Sequence, residues 1–113
     1  MFLRCAENML VANNTIVDLN SFVFAIGPLT DPFAGSVDGL RIVNNIAVTS
    51  VGKIYGVEMA LPASVIVERN LVHNAGGGEL ATVTGKGSTR SPSQLRSWIG
   101  QAVADIDADP EFV

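Results

Sequence analysis

Leu10-Val11-Ala12-Asn13-Asn14-Thr15-Ile16-Val17, Leu40-Arg41-Ile42-Val43-Asn44-Asn45-Ile46-Ala47-Val48 and Val65-Ile66-Val67-Glu68-Arg69-Asn70-Leu71-Val72-His73 are three versions of one phrase. Each is a short apolar stretch, an Asn-containing bend and a second apolar stretch. A unit that recurs every ~25–30 residues predicts stacked repeats, in which each copy shields the apolar face of its neighbour.

Working outward, the repeats share three strand slots. The first holds Met9–Ala12, Leu40–Val43 and Val65–Glu68; the second holds Thr15–Val17, Ile46–Val48 and Leu71–His73. The third holds Phe22–Ile26, Ile54–Met59 and Glu79–Thr84. Val, Ile, Phe and Thr fill the strands, while Asn, Gly and Ser fill the bends, as pleated and turning backbone prefer. Two excursions, Gly27–Gly39 with Pro28 and Pro32 and Ala60–Ser64 with Pro62, break the pattern. Stacking like strands predicts three parallel sheets with Asn14, Asn45 and Asn70 at one corner. Asn can take left-handed backbone there, and its amide can bond its equivalent in the next repeat.

The end of the chain differs in kind. Ser91-Pro92-Ser93-Gln94 is a helix start, with Ser as N-cap and Pro at the first helical position. Leu95, Trp98, Ile99, Ala102, Val103 and Ile106 follow at helical spacing, which predicts a helix from about Pro92 to Ala104. Laid against the last repeat, it would cover exposed strand edges. At the other end, Phe22-Val23-Phe24-Ala25-Ile26 has no charged neighbours beyond Asp18 and Asp31, and its bare edge predicts self-association.

Bulk composition bounds the function classes. The 113 residues suit one domain, organised as strand repeats over 9–85, a capping helix over 91–105 and an acidic tail over 106–113. Charged residues make up 16% of the chain, which leaves little charge to cover a small body. A net charge of −4 with only seven scattered basic residues disfavours nucleic acid. Asp105, Asp107, Asp109 and Glu111 crowd into the tail. Cys5 stands alone, so no intrachain disulfide forms, and the compartment stays open. Met1–Cys5 lacks a signal-peptide layout, because Glu7 and Asn8 interrupt it, and no apolar run reaches the ~18–20 residues of a membrane span.

The strings Asn13-Asn14-Thr15-Ile16-Val17, Val43-Asn44-Asn45-Ile46 and Arg69-Asn70-Leu71-Val72 resemble those marking successive coils in right-handed parallel β-helix proteins of the pectate-lyase-like class. The ending Ser93-Gln94-Leu95-Arg96-Ser97-Trp98, then Asp109-Pro110-Glu111-Phe112-Val113, is similar to the segment that closes such helices. The resemblance implies an all-β domain: a short parallel β-helix of about three coils, the C-terminal fragment of a longer solenoid, capped by an α-helix. It also implies a carbohydrate connection, since the class includes polysaccharide lyases and glycoside hydrolases. An antiparallel α+β sheet with one packed helix is the alternative, and hairpin pairing of Val43 with Val48 would mark it. Pairing of Ile42 with Val67 and Ala12 would mark the solenoid.

No residue carries a clear chemistry. Glycoside hydrolysis needs two carboxyl groups ~5–10 Å apart. Asp18, Glu58 and Glu68, with Lys53 or Arg41 as cation, are the candidates, but Asp18 and Glu58 sit in different slots and no Asp pair shares a slot in adjacent repeats. Asp105-Ile106-Asp107-Ala108-Asp109 opens like a calcium loop, yet Pro110 stands where that loop needs Gly. Gly85-Lys86-Gly87-Ser88-Thr89 fails the spacing of a phosphate loop, and Gly76-Gly77-Gly78 reads as a corner. His73 is expected at a strand end facing solvent and Trp98 in the core, while Tyr55 and Phe33 are the thin case for a sugar platform. The expectation is a non-catalytic structural or interaction domain, homo-oligomeric, with no catalytic, cofactor or metal residue assigned and no nucleic-acid or membrane partner. A carbohydrate-binding or polysaccharide-degrading remnant is the alternative.

Overall fold

Apolar tripeptides between Asn and Gly bends are long enough to pair but too short to pack alone, so their order comes from their neighbours. The computed structural model describes residues 1–3, 6–17, 20–27 and 36–111. The described strands are β1 (Phe2–Leu3), β2 (Leu10–Ala12), β3 (Thr15–Val17), β4 (Phe22–Ile26), β5 (Arg41–Val43), β6 (Ile46–Thr49) and β7 (Lys53–Val57). They continue with β8 (Ile66–Glu68), β9 (Leu71–Asn74), β10 (Ala81–Val83), β11 (Gly87–Thr89) and, after helix α1 (Pro92–Ile99), β12 (Ile106–Asp107).

Strands pair with their equivalents one repeat away. One sheet runs β2-β5-β8, a second β12-β9-β6-β3 and a third β1-β4-β7-β10-β11. Register follows the repeat: Val11 opposes Ile42 and Ile42 opposes Val67, while Thr15, Ile46, Leu71 and Ile106 form one row. Ile42 therefore faces Val11, one residue from the expected Ala12. Val43 and Val48 lie in different sheets, so the hairpin of the antiparallel alternative does not form. Val11, Ile42 and Val67 point inward, as do Ala47 and Val72, and Phe24 and Tyr55 join them from the third sheet.

The all-β class, a short right-handed parallel β-helix of about three coils, is corrected. The chain is α/β-like: three open sheets of mostly parallel strands plus one helix. None of the sheets closes on itself, and the third ends in an antiparallel strand, because Gly85 and Gly87 take left-handed backbone and turn the chain back as β11. The three sheets expected from the repeat are present; what the repeat does not dictate is the antiparallel strand that ends the third.

The helix is also shorter than its apolar spacing implies. Ser91 caps it, its Oγ accepting from Gln94 N at 3.2 Å. Gly100 ends it in left-handed backbone at φ 67°, with its N–H donating to the Arg96 carbonyl. Ala102, Val103 and Ile106 are thus not helical. The chain runs on over β8, where Ala102 N donates to Val67 O at 2.7 Å and Arg69 N to Val103 O at 2.8 Å. This segment, and not the helix, covers the β8 edge, and β12 covers β9. The helix buries Leu95 instead and lies along β11. At the opposite end β1 pairs with β4, so the edge of Phe22–Ile26 expected to be bare is covered.

Because Ile42 is fully buried between Val11 and Val67, its truncation to Ala should lower the unfolding free energy by about 2–5 kcal/mol in urea titration. Val51→Ala, at a position 72% exposed, should change it by no more than about 0.5 kcal/mol.

Candidate functional site

The most organised polar feature is a column of side chains at the corner between the first two sheets. Asn14 N and Nδ2 donate to Asn45 Oδ1 at 3.0 and 3.1 Å. Asn45 N and Nδ2 donate to Asn70 Oδ1, both at 3.0 Å. Asn70 N then donates to Asp105 Oδ1 at 2.8 Å, with Nδ2 at 3.4 Å. The second N–H of each inner amide donates across the corner, Asn45 to Val11 O and Asn70 to Ile42 O. The expected amide-to-amide bonding is present. Left-handed geometry, however, falls one residue earlier, at Asn13, Asn44, Arg69 and Ala104, with φ of 59°, 56°, 55° and 55°. That residue turns the chain, which frees the following amide to point inward.

Asp105 thus occupies the fourth rung of the ladder, in Ala104-Asp105-Ile106. Its assignment to a calcium-like string missed this, because nothing there repeats the Asn. The side chain is buried, and its Oδ2 accepts from Tyr55 Oη at 2.7 Å. Burial pushes the Asp105 carboxyl up from its ordinary value, against the pull of the Asn70 and Tyr55 hydrogen bonds. Burial also raises the Tyr55 phenol well above its usual range, and the neighbouring Asp105 charge adds to this. Tyr55 stacks on Phe24 with ring centroids 5.6 Å apart. It is a core residue and offers no sugar platform.

The remaining acids of the string diverge. Asp107 Oδ1 lies 3.4 Å from His73 Nδ1, and Asp109 Oδ1 accepts from Glu111 N at 2.9 Å. Among the described residues no three His, Cys, Asp or Glu side chains gather where an ion could be held.

The hydrolytic candidates are not brought together. Asp18 lies outside the described residues, as do Cys5 and Phe33. Glu68 pairs with Arg69 at 3.1 Å on the first sheet, whereas exposed Glu58 follows β7 on the third. Arg41 is exposed on β5. Lys53 meets hydroxyls, not a carboxylate: Nζ donates to Thr82 Oγ1 at 2.7 Å and Ser88 Oγ at 3.3 Å. Those hydroxyls are 2.8 Å apart, and the grouping was hidden because the β10–β11 hairpin creates it. Gly76–Gly78 is a corner held by Asn74, whose Oδ1 accepts from Gly76 N and whose Nδ2 donates to Gly52 O and Glu79 O.

One concavity stands beside these clusters. A half-open groove of about 290 Å³ lies between α1 and the β10–β11 hairpin, lined by Met59, Leu61, Val83, Lys86, Trp98 and Ile99 among others. Trp98 is therefore half-buried at a groove wall, not enclosed. Among the described residues no helix is long and apolar enough to cross a membrane.

The raised Asp105 carboxyl means that the folded chain holds this proton more tightly than the unfolded chain. Its contribution is complete below the ordinary carboxylate value of 3.8 and is lost as pH rises through the raised folded value. Asp105→Asn keeps an acceptor for Asn70 and cannot ionise. The stability difference between variant and parent, from urea titrations between acid and neutral pH, should grow with pH in favour of the variant; parallel profiles would contradict this origin. Tyr55→Phe, which leaves Oδ2 buried without its donor, should cost about 1–3 kcal/mol. No family model, no curated protein and no solved structure matches the chain, so the meaning of these groups rests on their own geometry.

Proposed function

We propose that the domain is a non-catalytic interaction module that pairs with a second copy of itself through the N-terminal edges of its three sheets. The observation that carries this is the asymmetry of the two ends. At the C-terminal end, Gln101–Val103, β12 and β11 cover β8, β9 and β10. At the N-terminal end, β1, β2 and β3 are all edge strands among the described residues. Leu10 on β2 is 58% exposed and Val17 on β3 is 47% exposed, with Met1 and Met9 also in solvent. An open backbone edge flanked by such side chains is a template for another strand.

Like edges of two copies meet antiparallel about a two-fold axis, which gives a closed dimer and not a filament. The buried, satisfied state of the Tyr55–Asp105 pair and the dispersal of Glu58, Glu68 and Arg41 support a role without catalysis. A carbohydrate-binding role loses Tyr55 as its stacking surface, and no other observation favours it.

Sedimentation equilibrium over a wide concentration range should show a dimer. Leu10→Lys and Val17→Lys, both at exposed positions, should shift it to monomer with an unchanged circular dichroism spectrum. A parent chain that stays monomeric at the highest concentrations, or lysine variants that dimerise as well as the parent, would overturn the proposal.

A further inference from the structure

We infer that the groove between α1 and the β10–β11 hairpin is a binding site for a small amphipathic anion, an apolar body carrying one carboxylate. Its lining is mostly apolar, with Met59, Leu61, Val83, Trp98 and Ile99. Lys86 is the one charged side chain lining it, and among the described residues no carboxylate lies within ion-pair distance of that ammonium. Thr84 adds a hydroxyl. Few polar groups beside an apolar concavity is the usual composition of a small-molecule site, where the apolar walls provide affinity and the polar group fixes orientation.

The hairpin is shaped to present that cation. Lys86 sits between Gly85 at φ 84° and Gly87 at φ 117°, and its N–H donates to Val83 O at 3.0 Å. The left-handed glycines hold the turn tight. At Gly87 a Cβ would come within 4.0 Å of the Trp98 ring, so the glycine brings the hairpin backbone beside the indole. The chain as a whole carries −4, which repels anions at long range. Anion binding therefore requires a local cation next to the apolar walls, and Lys86 supplies it. The groove adjoins β10 and β11, at the opposite end of the third sheet from β1, so this site does not depend on the N-terminal edge.

Trp98 is the sole tryptophan, which makes its emission a direct reporter. Titration of the full chain with sodium octanoate should give a saturable change in that emission, and octanol and octylamine should bind at least about tenfold more weakly. Lys86→Glu, at an exposed turn position, should weaken octanoate binding by about tenfold or more with no change in circular dichroism. Ala60→Phe, at the exposed rim, should block the groove for every probe. Leu10→Lys should leave the octanoate response intact, which separates this site from dimer formation. No saturable response, equal affinity for the three probes, or an octanoate affinity untouched by Lys86→Glu would each overturn the inference.

Discussion

The buried amide column is the constraint on which the rest depends. Asn45 and Asn70 are each 1% exposed, and an amide left unpaired there would cost several kcal/mol, roughly 2–7 by transfer measures. Each pairs only when its equivalent in the next repeat stands directly above it. A slip of one residue in β2, β5 or β8 would break the amide pairing at that level and turn its core residue, Val11, Ile42 or Val67, away from the interior. The net gain per hydrogen bond is modest, about 1 kcal/mol. The column's main effect is therefore on register: it makes wrong pairings expensive while apolar burial drives collapse.

The column has a direction. Asn45 and Asn70 each accept at Oδ1 from the rung on the N-terminal side and donate toward the C-terminal side. An ionised carboxylate has no donor, so Asp105 can only be the last rung. Tyr55 completes it from the third sheet and ties the corner to the far wall of the core. One residue thus does two jobs, ending the ladder and fastening the C-terminal segment over β8 and β9. The cost is a carboxyl held where burial opposes its charge.

Three features of the sequence exposed much of this. Asn followed by a β-branched or leucine residue, at matching distances in three segments, was enough to place Asn14, Asn45 and Asn70 at one corner and to name the three groups of paired strands. Asp105 was hidden because the fourth rung has neither the Asn nor a full repeat before it; only the Asp-Ile order survives. The helix was overextended because Ala102, Val103 and Ile106 continue its apolar spacing by coincidence. Gly100 was the contrary signal, a residue suited to left-handed backbone directly after the last helical turn. Tyr55 could not be oriented, since Ile54 and Tyr55 are both buried and β7 shows no simple alternation. The Lys53–Thr82–Ser88 cluster and the groove depend on the β10–β11 hairpin, whose strand β11 is Gly-Ser-Thr and reads as a loop. The class of the fold was misread for a related reason, as the repeats describe vertical neighbours and are silent on the hairpin, the helix and β1.

The ladder's direction also bears on what can meet its open end. Among the described residues, exposed Asn14 spends its backbone N–H and one amide N–H on Asn45, which leaves Oδ1 and a second amide N–H unpaired. A further rung added in the same sense would have to donate to that Oδ1. A second copy cannot add in this sense, because its own C-terminal end finishes in Asp105, whose ionised carboxylate accepts from Asn70 and Tyr55 and has no donor to offer. Two copies related by a two-fold axis avoid the conflict. In the proposed dimer each Asn14 would offer the other one donor and one acceptor, and the two amides could close reciprocally. Leu10 and Val17 flank the same edge and would lose water together. The chemistry that orders the interior thus bears on the proposed pairing: it suits N-terminal edges that face each other, with the carboxylate ends turned away.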